Sequence, residues 1–156
     1  MNSAHISPTD LGSALKDSGV RFDDWCDPEI LLTKIAVVPA ETQVDLVSVS
    51  ARELGFAEAP VLEDLYRRAK ELGLRLVPAE TGPRLLLSQH IMRQGESESF
   101  LMAMEPVMSL DGYLQVFEIS WNKDGQWIGT GDFRPSYLIG IDIRWVFAHR
   151  EQSVCC

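Results

Sequence analysis

Three side chains of this sequence have the chemistry for acid–base catalysis or metal binding: Glu80, His90 and Glu105. Carboxylates and imidazoles exchange protons in enzyme active sites, and both also bind divalent metals. If the fold brings the three together in a pocket under the Gly82-Pro83 turn, they would form the active site of a small hydrolase. This is the enzymatic hypothesis for the chain.

The two carboxylates also admit a structural interpretation. Glu80 lies in a turn rich in Gly and Pro, where its carboxylate would accept backbone N–H bonds. Glu105 precedes Pro106 at a strand end and would pair with Arg84 or Arg75. Ion pairs that serve only the fold use the same residue types as an active site. The structural interpretation is favoured, so the sequence assigns no catalytic residue, cofactor or metal.

The usual motifs of catalysis are missing from the sequence. It has no His-x-x-x-His, Cys-x-x-Cys or Gly-x-Ser-x-Gly pattern. A nucleotide-hydrolysing motor needs a glycine-rich loop that ends in Gly-Lys-Ser/Thr. No lysine follows a glycine here; the four are Lys16, Lys34, Lys70 and Lys123.

The tryptophans are the remaining candidates for a binding site. They serve either as core packing or as walls of a ligand groove, and the exposure of their rings decides between the two. Trp121 and Trp127 flank one hairpin and would pair across it. His149 is in phase with the apolar residues of the last strand, which favours a structural role. The four tryptophans are Trp25, Trp121, Trp127 and Trp145.

The clearest element that would position these residues is a helix over residues 60–72. Pro60 suits the first turn of a helix, and Gly73 suits the position just after the last turn. An apolar stripe along the helix would pack on a sheet. The stripe consists of Leu62, Leu65, Tyr66, Ala69 and Leu72, and the sheet contacts are expected from Leu62, Leu65, Ala69 and Leu72.

Alternating apolar and polar residues predict the strands of that sheet. Strand signals follow one another without intervening helices, which is typical of an antiparallel sheet. The fold class is therefore α+β, with five to six antiparallel strands packed by one central helix and short N-terminal helices. A hairpin turn is expected at Asn122–Gly125. The strand signals cover residues 43–49, 74–77, 84–89, 100–107, 113–121, 126–130 and 141–147.

Three segments are expected along the chain. Residues 1–20 are expected to be a weakly ordered N-terminal segment, with a short helix through Leu11 and Leu15. Residues 21–150 are expected to form a single α+β domain, which includes a second helix that starts at Pro28. Residues 151–156 are expected to be a C-terminal tail.

Composition favours a cytoplasmic globular protein. The 46% hydrophobic content supports one folded domain in 156 residues. The longest apolar runs are too short to span a membrane, and residues 1–8 have neither a basic nor an apolar signal region, so no secretion signal is expected. Cys26, Cys155 and Cys156 have no metal-ligand spacing and are expected to be reduced. A terminal Cys-Cys also accepts prenyl groups, but no polybasic run precedes it.

The net charge of −9 bears on the partner. Residues 1–58 contain ten acidic and four basic side chains, so this third carries −6. An acidic surface repels phosphate backbones, and direct nucleic-acid binding is not expected. The acidic side chains serve either solubility or a contact with another protein. The oligomeric state is not determined by the sequence.

Four phrases connect the chain with a known group of proteins. They are Glu53-Leu-Gly-Phe56, Ala69-Lys-Glu-Leu-Gly-Leu74, Pro78-Ala-Glu-Thr-Gly-Pro83 and Ala103-Met-Glu-Pro106. In this order the chain resembles a family of uncharacterised bacterial proteins, sometimes loosely labelled "helicase", over residues 44–147. The resemblance implies a shared central fold and no established activity. The missing phosphate loop excludes a helicase motor.

Two functional hypotheses follow. The first is a non-enzymatic, acidic binding or regulatory module that contacts another protein through its acidic N-terminal third. The second is the small hydrolase with Glu80, Glu105 and His90. They differ in whether those three side chains meet in a concave site.

Overall fold

A computed structural model describes residues 8–22, 46–88, 98–108, 112, 114–122, 125–132, 134 and 136–149. These residues form three helices and eight strands, which confirms a mixed α+β fold. In chain order the elements are α1 (Pro8–Asp17), β1 (Arg21–Phe22), β2 (Leu46–Ser50), α2 (Leu62–Glu71), β3 (Leu74–Arg75), α3 (Thr81–Ser88), β4 (Glu98–Met102), β5 (Val107–Met108), β6 (Leu114–Asn122), β7 (Gly125–Asp132) and β8 (Arg144–His149).

The strands form one sheet in the order β1-β7-β6-β4-β8-β2, with β3 also paired to β8 and β5 to β6. The sheet is larger than the expected five to six strands. Its longest ladder is the antiparallel hairpin of β6 and β7, in which Asn122 faces Gly125 across the turn. The pairs β1·β7 and β4·β8 are parallel, so the expectation of a wholly antiparallel sheet is wrong.

The segment predicted as a strand over residues 84–89 begins within the helix α3. Proline is tolerated in the first helical turn because its missing N–H needs no partner there, and Pro83 occupies that turn. Three leucines follow, and so short an apolar run does not distinguish a strand from a buried helix. Leu86 is fully buried in the core, so tertiary packing selects the helix.

The predicted helix 60–72 is present as α2, but it is not a single central helix. Leu65 and Ala69 are buried, as expected from the stripe, whereas Leu72 is 49% exposed. Leu72 lies just past the last helical residue, where the chain turns toward β3. Tyr66 packs edge-on against Trp145 and Phe147, each with ring centroids 6.1 Å apart.

The N-terminal helix α1 contributes to the same core. Leu11 and Leu15 are fully buried in the cluster that also contains the sheet residues. The short helix expected through Leu11 and Leu15 is therefore present and packs on the core, whereas the weak order expected for residues 1–20 stays a prediction. Gly19 follows the helix with a φ of 85°, a left-handed conformation that suits glycine.

Helices cover both faces of the sheet. Leu101 pairs with Trp145 and Met102 with Val146, and successive strand residues point to opposite faces. Helix α2 contacts Trp145, whereas Gly82 of α3 lies against Met102. Hence α2 and α3 lie on opposite faces.

Several expectations concern residues outside those described: the helix starting at Pro28, the cysteines Cys26, Cys155 and Cys156, and the tail 151–156. Among the three helices described, none has the length and apolar character to cross a membrane.

Candidate functional site

Glu80 lies directly before α3 and is held in place by contacts with the first turn of that helix. Its side chain is 7% exposed and forms a salt bridge with Arg84, whose side chain is 30% exposed. Arg84 is one helical turn further along, and its backbone N–H also donates to the carbonyl oxygen of Glu80. The carboxylate therefore has a structural partner within the first turn of α3.

Glu105 is an exposed residue on the segment between β4 and β5, in which Ala103 and Met104 are fully buried. It forms no ion pair with any described residue, so the expected pairing with Arg84 or Arg75 is wrong; Arg84 pairs with Glu80 instead. Its charge acts on Tyr66. Burial raises the pKa of the Tyr66 phenol, and the nearby Glu105 carboxylate raises it further.

The third candidate, His90, lies outside the described residues, so convergence of all three stays a prediction. Gly82 and Pro83, expected to form a turn above a pocket, belong to α3 and are buried. A Cβ on Gly82 would lie 2.9 Å from Met102 Cγ, so helix and sheet are in close contact there. In the described part of the chain no three His, Cys, Asp or Glu side chains are grouped to hold a metal.

The tryptophans separate into core and surface residues. Trp145 is fully buried and Trp121 is 5% exposed, so both serve as core packing. Trp127 is half-buried. Trp121 faces Gln126 and Trp127 faces Ser120, so the two rings lie on opposite faces and the expected pairing across the hairpin is wrong. Trp25 lies outside the described residues.

A shallow pocket opens where β4 begins and the β6–β7 hairpin turns. Its volume is about 260 Å³. We call it the Trp127 pocket, because the partly exposed Trp127 ring is its aromatic wall. It is lined by Glu98, Ser99, Ser120, Trp121, Asn122 and Trp127.

The register of three strands explains this wall of the pocket. Ser99 pairs with Ser120, and Ser120 pairs with Trp127. The three side chains therefore lie in one row across one sheet face, where the small serine side chains leave the indole ring partly exposed. Arg21 of the edge strand β1 faces Trp127 from the other side, and its guanidinium carbon is 5.3 Å from the ring centroid.

One carboxylate lies beside this row. The hydroxyl of Ser99 donates a 2.8 Å hydrogen bond to Glu118, which lies two residues before Ser120 on the same face. Glu98 also lines the pocket, but it pairs with Trp121 and therefore belongs to the opposite face of the sheet. Glu118 forms no ion pair with a residue that the structure describes. The site thus combines an aromatic face, hydroxyls and one acidic group, which suits binding of a cation.

Sequence reasoning identified Trp127 as a possible groove residue but not its neighbours. The signal was the alternation in β6, where the polar Glu118 and Ser120 interrupt the apolar Phe117, Ile119 and Trp121. Such alternation predicts a half-solvated strand face. It does not reveal that β1, which is two residues long, would place Arg21 beside Trp127.

No protein-family model, curated protein or solved structure matches this chain. The resemblance to the uncharacterised bacterial family therefore stays a prediction that rests on its four phrases.

Proposed function

We propose that this protein is a non-enzymatic binding module that acts through contact with another protein. The observation that carries the proposal is the Trp127 pocket, where a partly exposed tryptophan lies in an open, shallow depression and Glu118 lies on the same sheet face. Tryptophan is among the residues that contribute most binding energy at protein interfaces.

The shape of the pocket favours a protein over a small molecule as the ligand. Pockets that enclose small ligands usually have about 300–1,000 Å³ and bury most of the ligand surface. The Trp127 pocket is smaller, at about 260 Å³, and lies on one face of the sheet. A depression of this size accommodates one side chain of a partner, whose remaining contacts would lie on the surface around it.

The charge of the chain supports the same proposal. A net charge of −9 attracts basic partners over a distance and accelerates their association. The acidic N-terminal third remains part of the proposed interface. Its described carboxylates include Asp17, Glu53 and Glu58, and Asp17 lies four residues before Arg21.

The hydrolase alternative has weaker support from the described residues. A general acid or base must be able to reach the substrate and exchange a proton with it. The Glu80 carboxylate is buried and forms a salt bridge with Arg84. The group that would have to exchange a proton is therefore already paired. Glu105 is exposed on the segment after β4.

A pull-down from host lysate, read by mass spectrometry, tests the proposal. The wild-type chain, Trp127→Ala and Tyr137→Ala are compared at low and moderate salt. Tyr137 is 53% exposed on the loop before β8 and is the matched aromatic control. We expect one dominant protein that wild type and Tyr137→Ala retain, that Trp127→Ala loses, and that elutes with salt. If Trp127→Ala retains every protein that the wild-type chain retains, the proposal is contradicted.

A further inference from the structure

We infer that the Trp127 pocket binds an arginine side chain from a basic segment of the partner. This inference rests on the proposed function and names the chemistry of the partner at the same site. The occupant follows from three properties of the site: the stacking surface, the Glu118 carboxylate and the position of Arg21.

The stacking surface already holds a guanidinium group. Arg21 lies over the Trp127 ring at 5.3 Å from its centroid, within the range of a cation–π contact. Tryptophan is the best of the aromatic residues at this contact, and the planar guanidinium also stacks on it. The half-buried indole therefore has the chemistry for arginine, because it already makes this contact with Arg21.

The Glu118 carboxylate supplies the second requirement. A guanidinium presents N–H groups in a rigid fork that matches a carboxylate in two parallel hydrogen bonds. Ser99 donates to one oxygen of Glu118, which orients that carboxylate beside the row of Ser120 and Trp127. An arginine from outside would stack on Trp127 and pair with Glu118.

Arg21 then acts as an internal competitor. It is exposed and belongs to a strand of two residues at the edge of the sheet. While it covers Trp127, a partner's arginine must displace it. Removing the Arg21 guanidinium should therefore strengthen binding of the external arginine, whereas removing the Glu118 carboxylate should weaken it.

The test is a titration followed by NMR of the tryptophan indole N–H signals, with Trp127→Phe used to assign the Trp127 signal. The probes are a capped pentapeptide with a central arginine and the same peptide with lysine. We expect saturable shifts of the Trp127 signal with the arginine peptide and about fivefold weaker binding of the lysine peptide, since lysine lacks the planar fork.

Matched variants separate a specific site from general attraction. Glu118→Gln should weaken binding of the arginine peptide about tenfold, as expected for loss of a charged contact, and Arg21→Gln should strengthen it about threefold. Glu63→Gln removes the same charge from an exposed position on α2 and should change affinity less than twofold, as expected for a screened distant charge. Equal affinity for both peptides, or equal effects of Glu63→Gln and Glu118→Gln, would overturn the inference.

This experiment and the pull-down fail in different ways. If Trp127→Ala loses a protein partner but the arginine peptide does not bind, the protein contact stands and the arginine inference is wrong. If the peptide binds specifically but no protein depends on Trp127, the arginine pocket stands and the proposed function is wrong.

Discussion

The hydroxyl of Tyr66 donates a 2.8 Å hydrogen bond to the backbone carbonyl oxygen of Met104 and so joins α2 to the segment that follows β4. Met104 is fully buried, and its sulfur accepts from the N–H of Phe117 at 3.4 Å. The Tyr66 ring meanwhile packs edge-on against Trp145 and Phe147 of β8. A single side chain thus connects a helix with two separate parts of the sheet.

Tyr66→Phe tests the energy of this bond. The ring contacts are retained, but the Met104 carbonyl loses its donor, and we expect a loss of about 1–2 kcal/mol in the free energy of unfolding. Urea denaturation measures it. Tyr137→Phe, at an exposed position, should stay within about 0.5 kcal/mol of wild type. Equal stability of the two variants would show that the Tyr66 bond contributes nothing net.

The raised pKa of Tyr66 also predicts that the free energy of unfolding decreases in the alkaline pH range. Burial, with a further contribution from Glu105, raises the pKa of Tyr66 in the folded protein. Tyrosines of the unfolded chain ionise near about pH 10. The contribution of neutral Tyr66 to the free energy of unfolding is therefore fully present below about pH 10 and is lost as the pH rises through the pKa of Tyr66 in the folded protein. The unfolding free energy of wild type should fall more steeply than that of Tyr66→Phe between about pH 10 and 12. Parallel curves would contradict this prediction.

The salt bridge between Glu80 and Arg84 should be structural. Glu80→Gln removes the negative charge that pairs with the mostly buried Arg84. We expect a loss of about 1–3 kcal/mol in the free energy of unfolding. The control is Glu71→Gln, which breaks an exposed pair with Arg68 and should cost less than about 0.5 kcal/mol. A double-mutant cycle with Arg84→Met measures the coupling. A Glu80→Gln variant as stable as wild type would return Glu80 to the list of functional candidates.

Gly82 should be intolerant of a side chain. An added Cβ would lie 2.9 Å from Met102 Cγ and 3.3 Å from Ile119 Cγ2, and both of those residues are fully buried. Alanine favours the helix by up to about 1 kcal/mol, but overpacking costs about 1–3 kcal/mol, so Gly82→Ala should be destabilising. Thermal unfolding of Gly82→Ala measures the net change.

Making Gly82→Ala in a Met102→Ala variant tests whether the contact with Met102 causes the loss of stability. In Met102→Ala the closest atoms are removed, and the same Gly82→Ala change should no longer lower stability. If it destabilises both backgrounds equally, the contact with Met102 is not the cause.

Elements that short-range rules specify were predicted well. The helix over residues 60–72 is present as Leu62–Glu71, and Gly73 follows it with a φ of 90°. The hairpin at Asn122–Gly125 is in the expected place, with Gly125 at a φ of 145°. In each case a proline, a glycine or a regular stripe restricts the backbone within a few residues, and no distant contact is needed.

Predictions that depended on distant partners were less successful. The leucine run after Pro83 fits a strand or a helix equally well, and only its burial between α1 and the sheet decides for the helix. The parallel pairing of β4 with β8 joins strands about forty residues apart, and no local pattern encodes it. The candidate site was missed for the same reason, because Arg21, Ser99 and Trp127 become neighbours only across three strand pairings.

By itself, the sequence determined the α+β class, the bounds of its most regular elements and the acidic charge, because backbone propensity, periodicity and composition are local or additive properties. Tertiary structure alone decided the order and direction of the strands, the helix in place of the predicted strand, and which tryptophan faces solvent. The alternation of residues in β7 does not by itself determine on which face of the sheet Trp127 lies. Pairing with Ser120 on one side and Arg21 on the other places Trp127 in the row of Ser99 and Ser120, where small neighbours leave the ring half-buried and Arg21 lies over it.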